Sequence, residues 1–447
     1  MFRLHGKYER ELVAETERNL RALGIFTDVE IKPQPARNDS IALLVKTRDK
    51  WTTKLNTSYK VTGGVHFFGV SLIEDNLFGL GKTIDLGYNQ SSDRILRQIF
   101  YKDRRLFGTR FASHIKAQNN SDFDAFEVTF SRPFFAWNTR WGFGFGYQST
   151  SGVSRQFQDG ELIAEPRLNE KAVQLIVNLY RGEKTKRHFM VGANIEKSEI
   201  GDKTREINLV GFGLGWMRRR YAKLHNVDVY ERTEDVPSGI LSEIVFGLNY
   251  NRAERRFDDP YFLYLFKYAK TTPDKPSFSL SASAQSFYER KHLRDTFLES
   301  ELKAFKAFGR HLLVSRVRYA RISNFSVERQ LRLGDENGLR GFKLRGRTGT
   351  KLLLFNFEDR IYTNIKLFVF RLGLTAFVDI GNAWEEHEKV GLGDLKTSFG
   401  LGLRIGNERF TGAINRIDFA YNTHEKKWRI SVGIGSSFSA YSQLDFL

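Results

Sequence analysis

The chain has 447 residues, no cysteine and a formal net charge of +18, with 38 glycines, 39 phenylalanines and 17 tyrosines against only 8 prolines. That mixture suits long β-hairpins whose side chains alternate between two environments. No run of about 18 apolar residues occurs, which excludes a transmembrane helix but not membrane-spanning strands, because those need only about 9–11 residues with every second one facing lipid.

The opening "MFRLHGKYER" has no apolar signal-peptide core, as expected of a cytosolic chain or of a mature or truncated product. The next stretch, "YERELVAETERNLRALGIF", places Leu12, Thr16, Leu20 and Leu23 on one helical stripe, with Gly24 as a C-terminal stop. "TDVEIKPQP" and "SIALLVKTRD" follow as short strands around a turn holding Pro33, Pro35, Asn38 and Asp39. Residues 1–50 therefore read as part of a small α+β module, too little to bury a core of its own.

From about Trp51 the period becomes two and stays so to the end. "WGFGFGYQ" sets Trp141, Phe143, Phe145 and Tyr147 against glycines, and "NLVGFGLGW" does the same with Val210, Phe212, Leu214 and Trp216. "FSLSASAQS" alternates Phe278, Leu280, Ala282 and Ala284 with polar residues. "LFVFRLGLTAFVDIG" reads as one strand, with Phe368, Phe370, Leu372, Leu374, Ala376, Val378 and Ile380 on one face and Asp379 on the other. No amphipathic helices are available to cover these faces, so in water the sheets would aggregate; a closed barrel in lipid buries them and leaves no edge. The alternation yields about 16 to 19 candidate strands, with Ser151–Asn169 and Asn251–Lys275 ambiguous, and single-chain bacterial barrels have an even number. The expected fold is an all-β, 16-stranded antiparallel transmembrane β-barrel over residues 51–447, preceded by the partial α+β module.

Several motifs imitate other chemistry. "FGLGKT", Phe78–Thr83, resembles the end of a phosphate loop, but a strand pattern follows where a helix should. "GFGLG" near Gly211 lies inside a strand, so its glycines read as lumen-facing. The nine histidines show no metal-ligand spacing, and no nucleophile elbow or carboxylate couple stands out, so no catalytic residue, metal or cofactor is assigned. "DRRLFGTR", "MRRRYAKL" and "RAERRF" are basic, but within a barrel they are loop, rim or lumen charge facing lipid phosphates or clients, not nucleic acid.

"GLRGFKLRGRTGT", Gly338–Thr350, packs four glycines and four basic residues around Phe342. Gly338 and Gly341 permit a tight turn from which Arg340 projects. The next strand pattern, "LLLFNFEDRIY", puts Asn356, Glu358 and Arg360 on one face, and Asp379 lies on the polar face of the strand after it. We therefore expect the loop at about 325–350 to fold into the barrel, pinned by a two-pronged pairing of Arg340 with Asp379, Glu358 or both.

The ordered set "LRGF", "NFEDR", "FVDIGNAW" resembles the signature of the outer-membrane assembly-factor superfamily, the BamA/TamA-like bacterial surface antigens. "TERNLRALGIFTDVEI" resembles the second half of a POTRA module, "GVSLIEDNLFGLGKTIDLGY" the second and third barrel strands, and "SRPFF" a strand-end pattern of the family. The resemblance implies that residues 1–50 are the C-terminal part of a POTRA module, so that the chain starts inside one. It also implies a bacterial outer-membrane location with POTRA in the periplasm, and an inward loop motif of Arg340, Gly341 and Phe342 against Glu358 and Asp379. It further implies insertion of unfolded client β-barrel proteins without ATP, through a lateral gate between first and last strands, or export of a secreted partner as in two-partner secretion. Outer-membrane lipids and periplasmic accessory proteins, reached through POTRA, are the other implied partners. The last strand is expected at about Trp428–Phe438, with Gly433 and Gly435 weakening its pairing at the gate. The chain ends "QLDFL", with Phe446 penultimate where such barrels often end on an aromatic.

Overall fold

The computed structural model describes residues 8–37, 40–49, 51–91, 94–228, 233–252, 254–407 and 414–445. Twenty strands close into one antiparallel barrel, not sixteen. Sequence neighbours are spatial neighbours throughout, from the first barrel strand, Thr53–Thr62, to the last, Lys427–Ile434, which meet to close the ring.

Turns without glycine or proline leave strand ends unmarked in the sequence, and two such turns each divide what reads as continuous strand. Ser277–Glu289 and His292–Phe308 are joined only by Arg290 and Lys291, both at positive φ (46° and 72°), the pair of angles a two-residue hairpin turn requires. The run read as one strand at Leu367–Ile380 is broken at Phe368–Val369. Phe368 sits there at φ 55° and is 84% exposed, and the strands on either side are Lys351–Leu367 and Phe370–Trp384. The ambiguous regions also hold strand. Trp141–Val153 and Arg167–Arg181 flank a small ribbon, Gln156–Gln158 with Glu161–Ala164, and Arg256–Lys270 is a full barrel strand.

The alternation separates two environments. Val210, Phe212, Leu214 and Trp216 are exposed on the outer face, as are Leu374, Val378, Phe399, Leu401 and Phe419. Their neighbours point inward. A side chain at Gly215 would collide with Glu243 at 2.7 Å, so that glycine makes room for a lumen carboxylate. "FGLGKT" is a hairpin turn leading into the strand Lys82–Ser91.

Part of the lumen is filled. One apolar patch of Ala320, Leu333, Leu339, Phe342, Leu352 and Leu354 lies under the long loop. A second, including Val236, Leu312, Val314, Phe438 and Ala440, lies under the C-terminal segment. The last strand ends at Ile434 rather than Phe438, because Gly435, at φ 80°, turns the chain inward. The segment then crosses the lumen: Arg360 Nη2 donates to the Phe438 carbonyl at 2.8 Å, Ala440 N to Asp228 Oδ1 at 2.9 Å, and Arg219 Nη1 to the Leu444 carbonyl at 2.6 Å. Phe446 lies outside the described residues.

No POTRA module is visible at the N-terminal end. The described residues there form one helix, Arg10–Ala22, and one antiparallel pair, Phe26–Pro35 with Ile41–Asp49. The helix buries Val13 and Glu17 rather than the Leu12–Leu23 stripe. Its contacts are mostly polar and run to the barrel rim: Trp137 N donates to Glu15 Oε1 at 2.6 Å, Asn19 Nδ2 to the Phe135 carbonyl at 3.0 Å, and Arg21 Nη2 to Asp235 Oδ2 at 2.7 Å. Glu17 accepts from Ile31 N at 2.8 Å, tying helix to hairpin. A lone helix and a two-stranded sheet bury too little apolar surface for a separate core, so the barrel end serves as the packing partner.

The outward face should tolerate no charge in a bilayer. Leu401, 67% exposed between Ala376 and Phe419, lies mid-strand in Lys396–Asn407. Leu401→Arg should destabilise the folded barrel by about 2–4 kcal/mol in phosphatidylcholine vesicles, read as a lowered urea midpoint; an unchanged midpoint would count against lipid contact at this face.

Candidate functional site

The connection between the strands His311–Ser323 and Lys351–Leu367 does not extend into solvent. It folds inward as its own ribbon, Leu331–Leu333 paired with Arg347–Gly349, with a tight turn at Asp335–Asn337. The sequence pattern shows no strand at Arg347–Gly349; the three-residue pairing is too short to leave a period. Gly338 (φ 114°) and Gly341 (φ 79°) both take backbone angles that L side chains avoid, and they bracket Arg340. A side chain at Gly341 would also press on Ala420 Cβ at 3.0 Å.

Arg340 is completely buried. Its Nε donates to Asp379 Oδ2 at 2.7 Å and its Nη2 to Asp379 Oδ1 at 2.8 Å, a fork-to-fork pairing, while Nη1 donates to Glu358 Oε1 at 2.7 Å. The Arg340 backbone N–H reaches Asp379 Oδ2 at 3.3 Å. The guanidinium stacks over Phe377, 3.5 Å from the ring centroid, on the same strand as Asp379. Asn356 completes the cradle by donating to both Asp379 Oδ1 (2.7 Å) and the Gly338 carbonyl (2.6 Å). Phe342 is buried in the apolar patch beneath the loop. Arg340, Gly341, Phe342, Glu358 and Asp379 thus form one assembly.

Register makes this geometry possible. Asn356 is the direct cross-strand partner of Asp379, so Glu358 stands two residues along on the same lumen face. The other oxygen of Glu358 accepts from Arg360 Nε at 2.8 Å, and Arg360 Nη1 reaches Asp228 Oδ1 at 2.9 Å. Arg404 Nη1 and Arg416 Nη1 both donate to Asp418, at 2.5 and 3.1 Å, and Asp418 lies 3.8 Å from Arg340 Nη1. Four arginines, Arg340, Arg360, Arg404 and Arg416, are offset by four carboxylates, Asp228, Glu358, Asp379 and Asp418. Sequence reading did not single out Asp418, Arg404 or Arg416 as members of this site. The alternation of "NRIDFAYN" carries the signal, since Arg416, Asp418, Ala420 and Asn422 share one buried face.

The seam lies beside this assembly. Val61–Val432 is the only register pair between first and last strands among the described residues, whereas the last strand makes eight pairs with its other neighbour and the first strand ten with its own. Gly433 adjoins the seam pair on the lumen side, where a side chain would meet Arg416 Nε at 3.2 Å; Gly435 lies beyond the strand end. In this register Ile434 faces Tyr59, and no last-strand residue stands opposite Thr53–Ser58.

Comparison with known proteins gives neither a matching family model nor a matching curated protein. Among solved structures, BamA from Haemophilus ducreyi lacking POTRA domains 1–3 is similar at 13% identity and a TM-score of 0.42, over 95% of this chain and 77% of that one. CdiB from Acinetobacter baumannii is similar at 13% identity and a TM-score of 0.45, over 93% and 66% of the two chains. CdiB from Escherichia coli is similar at 12% identity and a TM-score of 0.45, over 95% and 69%. At this level of similarity the functional reading rests on the geometry above.

Removing the arginine leaves buried Asp379 without its counter-charge and Glu358 with Arg360 alone. Arg340→Ala should cost about 3–5 kcal/mol of barrel stability, measured as the fall in the urea midpoint for loss of the compact electrophoretic form. Arg340→Lys should fall between wild type and Arg340→Ala, because an ammonium cannot serve both partners with a planar fork.

Proposed function

We propose that this chain is a β-barrel of the bacterial outer membrane that inserts client β-barrel proteins, opening laterally between its first and last strands. The observation carrying this reading is the seam: among the described residues one register pair joins its two strands, and the edge of Thr53–Ser58 has no last-strand residue opposite. An unpaired edge of N–H and C=O groups is a template for another strand. An unfolded client can add its strand there by β-augmentation, exchanging its exposed backbone for paired backbone at the bilayer. Strand pairing and lipid burial supply the driving force, so no nucleotide is needed.

The structure of the lumen favours this lateral route. The pinned loop and the C-terminal segment both occupy the interior, held by Arg340 and Arg360 respectively. The competing reading, a channel that exports a secreted partner through the lumen, requires both to vacate it.

A seam disulfide separates the two. The chain has no cysteine of its own, and directly paired antiparallel residues lie about 4.5–5.5 Å apart at Cα, within reach of a disulfide. Purified wild-type protein in liposomes should accelerate folding of an unfolded outer-membrane barrel over empty liposomes. The Val61→Cys/Val432→Cys variant should lose that acceleration when oxidised and regain it on reduction. Export through the lumen would be indifferent to the bond, and wild-type protein that gives no acceleration would count against insertion.

A further inference from the structure

The seam is weakly paired, yet something must keep it shut when no client is present. Asp335 of the inward loop is the residue placed to do so. It is 2% exposed, so its carboxylate has to be satisfied inside the protein. Its Oδ1 accepts from Ser431 Oγ of the last strand at 2.6 Å and from Gly341 N at 3.2 Å. Its Oδ2 accepts from Gly63 N, in the turn that ends the first strand, at 3.2 Å. One side chain therefore holds the last strand, the first hairpin and the loop's own glycine together.

The surroundings show that the contact is built in. Ser431 neighbours Val432, and Gly63 lies two residues beyond Val61, so Asp335 bridges the two strands next to their single register pair. Gly63 is at φ 57°, and a side chain there would overlap Leu344 N at 1.8 Å, so only glycine lets the first hairpin approach the loop. The loop grips the last strand a second time, where Arg429 Nη1 donates to the Gly341 carbonyl at 2.6 Å, and Asn422 Nδ2 of the preceding strand donates to the same oxygen at 3.2 Å. Two residues before Ser431 on the same face, Arg429 thus ties the strand to the residue that follows Arg340.

We propose that Asp335 is a positioning residue that latches the seam, bridging the first and last strands through the loop. The latch must release for a client strand to enter. This rests on the reading of the seam as a gate, but its geometry is independent of any client. Hydrogen bonds to a charged acceptor are stronger than neutral ones, so one carboxylate can outweigh a single strand pair. Meanwhile Arg340, five residues on, holds the loop to the strands Lys351–Leu367 and Phe370–Trp384, a few strands from the seam on the last-strand side, giving the latch a fixed base.

Amide hydrogen exchange of the full chain in lipid vesicles tests this without a client. In Asp335→Ala, peptides covering 59–63 and 428–433 should exchange about tenfold faster or more than in wild type. Peptides covering 355–361 and 375–381, which carry the Arg340 partners, should stay within about twofold. Seam exchange unchanged from wild type overturns the latch, and so does equal acceleration of seam and control peptides, which would mark general loosening. Ser431→Ala deletes one arm without touching a charge and so guards against failure of the first variant to assemble. It should speed exchange in 428–433 about threefold or more, and no change there also overturns the proposal. Because no client takes part, failure of the latch leaves insertion standing, and failure of insertion leaves the latch standing.

Discussion

A guanidinium shut away from water must find its counter-charges inside the protein, and the position of Arg340 sets how the loop end of this barrel is organised. Burying an ion costs several kcal/mol, and that cost is offset only when geometry and hydrogen bonding are complete. Here they are: three side-chain donor atoms meet two carboxylates, and the ring of Phe377 covers the cation's face. The arrangement tolerates no slip. Moving Phe370–Trp384 by one residue against Lys351–Leu367 would swing Asp379 to the lipid face and leave the arginine with Glu358 alone. Pin and register therefore specify each other, which is a better account of a buried ion pair than added stability.

The same cluster couples the two segments that lie inside the lumen. Glu358 uses one oxygen for Arg340 and the other for Arg360. Arg340 holds the loop, and Arg360 holds the C-terminal segment at the Phe438 carbonyl and the 227–228 region at Asp228 and Val227. A displacement of the loop is thus felt by the tail through one carboxylate. The tail's inward course has a second effect, because the turn at Gly435 stops the last strand early and leaves the lower part of the first strand without a cross-seam neighbour.

Much of this was readable in the chain, for physical reasons that differ by element. Lipid and lumen impose opposite demands on successive residues, so the outward rows Val210–Trp216 and Leu374–Val378 stand out by alternation alone. A glycine on each side of an arginine, followed by strands with inward carboxylates, made the Arg340 environment legible as chemistry. Strand number was not legible, because period-two patterns run straight through a two-residue turn such as Phe368–Val369 when its residues are as apolar as the strands beside it. The tail was hidden for a related reason: Phe438 and Ala440 continue an apolar pattern, and a lumen core cannot be told from lipid by hydrophobicity. Asp335 carries no sequence signal at all, since its partners are a serine hydroxyl and a backbone amide from remote parts of the chain and one amide of its own loop.

A cylinder of strands gives way first at its least-paired junction. Among the described residues every other junction of the barrel carries eight or more register pairs, and the seam carries one. With each hydrogen bond worth on the order of 1 kcal/mol net, opening any ordinary junction costs several times what opening the seam costs through the sheet alone. Closure at the seam then depends on hydrogen bonds between it and the loop, from Gly63 N and Ser431 Oγ to Asp335 and from Arg429 to the Gly341 carbonyl. A junction held by side chains on a separate element can be released by moving that element, while the remaining strands keep their pairing and their lipid face intact. That division, with the sheet for permanence and the loop for closure, is what a barrel needs if it is to open sideways without unfolding.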